Sequence, residues 1–267
     1  WSYYSNKLMQ EKYALDDEML KPYFKLENVQ KGVFDLVTRL YGITFKEVNN
    51  IPLYHPEVKT YEVYDNDGSF LAVLYTDFFP RESKGGGAWM TQFRGQKMVD
   101  GKDQRPLVSL VMNFTKPTDT KPSLLTFNEV TTFLHEFGHA LHGMFSKCTY
   151  GSTSMDGVSR DFVELPSQFM ENYALEKEWL DTWAVHYQTG EKIPQEYIDK
   201  IKKSSNFQAG YASDRQLSFG MVDMAWHTIT EPVTEPLADF EQRAMGKTEI
   251  MPLVKGSAFS PAFGHIF

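Results

Sequence analysis

Residues 126–145 read Thr126-Phe127-Asn128-Glu129-Val130-Thr131-Thr132-Phe133-Leu134-His135-Glu136-Phe137-Gly138-His139-Ala140-Leu141-His142-Gly143-Met144-Phe145. Thr126 and Glu129 form the Thr-x-x-Glu capping box that opens a helix. Val130, Phe133, Leu134, Phe137, Leu141, Met144 and Phe145 recur at steps of three and four, which predicts one helix over 126–146 with a broad apolar side. No proline interrupts it.

Within that helix lies His135-Glu136-x-x-His139. Side chains four apart stack one turn above each other, about 6 Å along the axis, so both imidazoles can converge on one ion. Zinc accepts neutral imidazole nitrogens at roughly 2.0–2.1 Å, and His-Glu-x-x-His on a helix is a zinc-peptidase pattern. Glu136 is rotated about 100° from His135, which frees it from the metal and leaves it to act as a base.

Two histidines leave a catalytic zinc one protein ligand short. A metzincin would carry glycine at 142 and histidine at 145, whereas this chain has His142 and Phe145. His142 shares the side of His135 but lies about 10 Å further along the axis, too far to join the same ion, and reads as a supporting or ordinary polar residue. A carboxylate on the next helix is the remaining option. Glu164 is the candidate: apolar Val163 and Leu165 on either side would hold it inward, and Pro166 marks a helix start.

Residues 1–50 read as helical: Asp16-Asp17-Glu18 opens a short helix, and Val29, Val33, Leu36, Val37 and Leu40 share one face of a longer one capped by Gly42. Residues 51–115 read as a β region, with a hairpin turn at Asp65-Asn66-Asp67-Gly68 and a further strand from Leu107. Gly85-Gly86-Gly87-Ala88 is not followed by the Lys-Ser/Thr of a phosphate loop. It has two readings: an edge where a peptide backbone adds as an extra strand, or a flexible loop. Residues 150–157, rich in Gly and Ser, read as a mobile loop, and 161–267 as helical again. Without repeats or a linker, one domain over 1–267 is the expectation: mainly α with a small antiparallel β-sheet.

A net charge of −8 argues against a nucleic-acid partner. One cysteine, Cys148, excludes an internal disulfide and a Cys-based zinc site, and fits a reducing compartment. No apolar run is long enough to span a membrane and no signal peptide is visible.

His-Glu-Phe-Gly-His-Ala-Leu-His (135–142) followed by Asp-Phe-Val-Glu-Leu-Pro-Ser-Gln-Phe-Met-Glu-Asn (161–172) resembles the thimet-oligopeptidase family of zinc peptidases, and within it the bacterial peptidyl-dipeptidases. The likeness extends to Tyr-Ala-Leu-Asp-Asp-Glu (13–18), Lys-Gly-Gly-Gly-Ala-Trp-Met (84–90), Asn-Phe-Thr-Lys-Pro (113–117) and Ser-Pro-Ala-Phe-Gly-His-Ile-Phe (260–267). It implies a zincin-like metallopeptidase catalytic domain holding one zinc ion through His135, His139 and Glu164, with Glu136 as general base. It also implies that His265 belongs to a catalytic segment, as an oxyanion donor or substrate contact; the other reading is a loose terminal histidine. Gly86, Gly87 and Ala88 would line the peptide. Arg160 would meet a substrate carboxylate, or else is an ordinary exposed arginine.

The implied activity is release of C-terminal dipeptides from short peptides by a monomeric cytoplasmic enzyme, with a periplasmic location as the other compartment. The alternatives are an oligoendopeptidase using the same residues, and a zinc-binding domain with little or no turnover. Family members continue past 267 into a tyrosine-containing segment and carry a longer N-terminal portion, so the chain looks like a fragment of the catalytic half.

Overall fold

Helices open the chain as the sequence predicts: α1 (Ser2–Tyr13), α2 (Asp17–Leu20) and α3 (Leu26–Tyr41). Asp16 caps α2 by accepting from the Glu18 N–H, and Gly42 ends α3 in the left-handed region at φ 76°, where a Cβ would be strained. Val29, Val33, Leu36 and Val37 are buried; Leu40, expected on the same face, is exposed at the helix end. The structure, a computed structural model, describes residues 1–248, 250–251 and 254–266. The chain forms two compact units, Trp1–Lys202 and Lys203–Phe267, each with its own apolar core.

In the first unit the strands are β1 (Thr44–Val48), β2 (Lys59–Tyr64), β3 (Phe70–Asp77), β4 (Trp89–Arg94), β5 (Lys97–Val99), β6 (Lys102–Gln104) and β7 (Leu107–Val111). β1 corrects the reading of residues 1–50 as helical: once Gly42 ends α3, the chain extends and pairs antiparallel with β2. β5 and β6 form a small ribbon; the others form one sheet in the order β1-β2-β3-β7-β4. The hairpin joining β2 to β3 turns where expected, with Gly68 at φ 80°.

The sheet corrects the expectation of a purely antiparallel one, because β3 and β7 run parallel. Residues 78–106 supply the long crossover that a parallel pair requires. Burial decides which strand goes inside: Val108, Ser109, Leu110 and Val111 are buried, so β7 takes the interior slot. β4 is largely half-exposed and takes the edge, pairing antiparallel with β7.

Against this sheet lies α4 (Phe127–Phe145), the helix read first in the sequence. Its capping box forms in both directions: the Thr126 hydroxyl accepts from the Glu129 N–H at 3.1 Å, and the Glu129 carboxylate accepts from the Thr126 N–H at 2.7 Å. Phe133 and Phe137 are fully buried; Phe133 meets Phe78 and Phe114, and Phe137 meets Phe34 and Phe45. Arg105 ties the far end of α4 to the sheet, its guanidinium donating to the carbonyls of Leu71, Met144 and Ser146.

The loop 150–157, expected to be mobile, is folded into two 3-10 turns, Gly151–Thr153 and Met155–Gly157, with Ser154 buried between them. Helices α5 (Leu165–Glu171), α6 (Lys177–Leu180) and α7 (Gln195–Ser204) follow.

The second unit contains α8 (Ala209–His227) and α9 (Leu237–Met245). Val222, Phe240, Met245 and Ile266 form its core. Glu241, fully buried on α9, accepts from the Phe259 and Ser260 N–H groups, and the Trp226 indole donates to the Ser260 hydroxyl at 2.9 Å. These bonds hold the segment that leads to His265. Among the described residues no helix is long and apolar enough to cross a membrane.

Candidate metal centre

Apolar Phe133, Phe137 and Ala140 turn one side of α4 into the core, which leaves His135 and His139 together on another. Their rings sit edge to face, 5.0 Å apart. Helix α5 packs across α4 and brings Glu164, the residue just before its first turn, up to both: Glu164 Oε2 lies 3.2 Å from His135 Nε2 and 3.0 Å from His139 Nε2. One ligand atom from each of the three lies within 4.8 Å of the others.

Three features of this cluster fit a divalent metal. The donor set, two imidazole nitrogens and one carboxylate oxygen, is that of a three-ligand hydrolytic zinc site. His135 Nδ1 lies 2.6 Å from Glu171 Oε1, so a proton on Nδ1 is held by that carboxylate and the Nε2 lone pair is left facing the cluster. His139 is 9% exposed, and burial holds its imidazole below the usual pKa, outweighing the nearby Glu164 charge and favouring the neutral form that a metal takes.

Glu164 and Glu136 sit side by side with opposite shifts. Burial works against the Glu164 charge, but the Ser167 hydroxyl and the two imidazoles outweigh it and hold the carboxyl below its usual range. Glu136 is 7% exposed; burial, with the neighbouring Glu164 charge, raises its pKa against the opposing pull of His135 and the Met90 N–H. A buried carboxylate of raised pKa beside a cluster of metal-ligand type is suited to accept a proton.

His142 does not join the cluster. It lies one turn further on, half-buried, lining a cavity of about 390 Å³ with Tyr41, Phe145, Cys148 and Met155. Gly86 and Gly87 are exposed in the loop before β4, and Ala88 is half-buried. Asn113 pins that loop, its amide donating to Gly85 O at 2.9 Å and Gly87 O at 2.7 Å. Arg160 is exposed in the turn ahead of α5. His265 lies in the second unit, exposed, its ring against Phe263.

Sequence reasoning missed Glu171 and Ser167. Glu171 lies seven residues after Glu164, two helical turns, a spacing that could have suggested a second inward carboxylate. Ser167 stands three residues after Glu164, within reach of a side chain at the start of a helix. Of the two apolar neighbours expected to hold Glu164 inward, Val163 is half-buried but Leu165 is 54% exposed, and the Glu164 side chain itself is 48% exposed.

A helix bearing His135, Glu136 and His139, crossed by a helix bearing Glu164, defines a site of the metallopeptidase class. The model of peptidase family M3 matches residues 1–267, and the chain belongs to that family. It is similar to dipeptidyl carboxypeptidase of Salmonella typhimurium, at 42% identity over the whole chain and 39% of the relative. It is comparably similar to oligopeptidase A of Escherichia coli, at 41% identity over the whole chain and 40% of the relative. Dipeptidyl carboxypeptidase of Escherichia coli is 40% identical over the whole chain and 39% of its own length. The chain therefore spans about two fifths of the length of these curated relatives.

Proposed function

We propose that this chain carries the catalytic metal centre of a zinc peptidase acting on short peptides, releasing C-terminal dipeptides. The observation that carries the reading is the convergence of His135 Nε2, His139 Nε2 and Glu164 Oε2 beside the buried carboxylate of Glu136. His135, His139 and Glu164 would hold the ion, which when bound supplies the Lewis acidity that activates water near neutral pH. Glu136 takes the proton from the attacking water on its carboxylate and passes it to the leaving amine.

The peptide backbone lies along the edge formed by β4 and the loop before it, with Gly86, Gly87 and Ala88 in contact and side chains free to vary. The edge position of β4 in the sheet and the Asn113 clamp support that role. His265 would act as donor to the developing oxyanion or as a substrate contact, and Arg160 would meet a substrate carboxylate. A monomer in the cytoplasm is the state in which we expect the protein to work, in keeping with the single free Cys148.

The oligopeptidase reading stands beside the dipeptidase one, because the relatives of the two names are nearly equal in identity. Mass spectrometry of products from N-terminally blocked peptides, with free or amidated C-termini, separates them. Dipeptide release only from free C-termini supports the first reading; internal cleavage of amidated peptides overturns it for the second. Stoichiometric zinc binding with no cleavage of either series removes the peptidase assignment of this chain and leaves a metal-binding domain.

A further inference from the structure

The Glu164 side chain is half-exposed, and of its apolar flanks Leu165 is exposed and Val163 only half-buried, so packing alone does not fix its direction. Something else must aim its carboxylate at the two imidazoles. Ser167 is fully buried, and its hydroxyl lies 2.7 Å from Glu164 Oε2 and 2.9 Å from Glu164 O. Oε2 is also the oxygen nearest both His135 Nε2 and His139 Nε2.

Ser167 is seated by backbone contact with α4. A Cβ built on Gly138 would come within 2.4 Å of Pro166 O and 2.6 Å of Ser167 Cα, so α5 approaches α4 at a point only glycine allows. Gly138 lies between Glu136 and His139 in sequence. The Ser167 backbone is thus seated on the helix that bears both histidines, which sets where its side chain starts without reference to the Glu164 side chain.

We propose that Ser167 is a positioning residue for the metal centre: its buried hydroxyl, carried on a backbone pressed against Gly138, locks the Glu164 carboxylate in the direction of His135 and His139. This rests on the metal-centre reading above. Without the hydroxyl, Glu164 regains the rotamers open to a half-exposed side chain, and the site must order it each time a metal binds. Loss of an outer partner of this kind typically lowers metal affinity 10–100-fold.

The test is zinc affinity of the 267-residue chain, measured by competition with a chromogenic chelator, for wild type, Ser167→Ala, Ser167→Thr and Ser167→Val. Thr and Val impose nearly the same added bulk beneath Gly138, and only Thr retains the hydroxyl, so their comparison isolates the hydrogen bond whatever the packing cost. The expected result is a 10–100-fold loss for Ala and Val relative to wild type and Thr respectively. In a Glu164→Ala background the same serine replacements should cause no further loss, since the hydroxyl acts only through that carboxylate. Equal affinity of Thr and Val proteins, or an undiminished loss in the Glu164→Ala background, overturns the proposal. Failure of the wild-type chain to bind zinc overturns the metal-centre reading instead.

Discussion

Replacing Gly138 with alanine puts a number on how closely α4 and α5 are pressed together. On an open helix surface this change stabilises by about 0.5–1 kcal/mol, because alanine orders the backbone at lower entropic cost. At position 138 the new Cβ meets Pro166 O at 2.4 Å, Ser167 Cα at 2.6 Å and the Pro166 carbonyl carbon at 2.8 Å. All three are backbone atoms, so no side chain can rotate away, and α5 must retreat by about 1 Å to reach ordinary contact. Overpacking of this kind costs typically 1–3 kcal/mol, and a backbone clash belongs at the upper end. Offsetting the alanine gain leaves a net loss of roughly 2 kcal/mol.

Gly220 is the internal control. It lies within α8 with nothing within 4 Å of a built Cβ, so Gly220→Ala should stabilise by about 0.5–1 kcal/mol. Urea titrations followed by circular dichroism give both signs, and chelator competition gives the zinc affinity, which should fall for Gly138→Ala alone. If Gly138→Ala is as stable as wild type and binds zinc equally well, the tight crossing of the two helices does not set the site.

Three further outcomes are expected. Glu136→Gln should reduce peptide hydrolysis about 10²–10⁴-fold while zinc content, measured by atomic absorption, stays unchanged; loss of metal would show that Glu136 holds the site together instead. Burial opposes the charge of Asp77, which is 1% exposed, but hydrogen bonds from Arg81 and Lys84 prevail and keep its carboxyl below the usual range. Its contribution is therefore present above pH ~3.8 and lost as pH falls through the lower folded value, so Asp77→Asn should flatten that acid limb of unfolding and lower neutral stability by about 3–5 kcal/mol. Arg105→Ala leaves the Leu71, Met144 and Ser146 carbonyls without their donor and should cost about 2–3 kcal/mol in a urea titration, with a change below 0.5 counting against the clamp.

Local signals were the legible ones. The capping box at Thr126, the stripe from Val130 to Met144, the turn at Gly68 and the cap at Gly42 are each local, and each forms as read; Phe145, expected to close the stripe, is exposed at the helix end. Glu164 is legible from its apolar flanks Val163 and Leu165 and from Pro166, which marks the helix start beside it. What escaped depends on partners distant in the chain. The parallel pairing of β7 with β3 is set by which strand is most apolar once the sheet assembles, a competition no single stretch displays. Glu171 acquires its meaning from His135, 36 residues away. Ser167 is the exception, three residues from its partner: in the sequence the apolar flanks alone account for an inward Glu164, and only the exposure of Leu165 shows what the hydroxyl contributes.

The slot that β7 occupies governs the order in which the first unit can assemble. β1, β2 and β3 can pair as soon as they are made, whereas β4 has no sheet neighbour until β7 is synthesised and inserts beside it. During that interval β3 carries an unpaired apolar margin of the sort that recruits other chains. A nascent chain stalled before Leu107 would hold three paired strands and a sticky border, and β4, whose Met90 N–H meets Glu136, would find its place only once β7 is made.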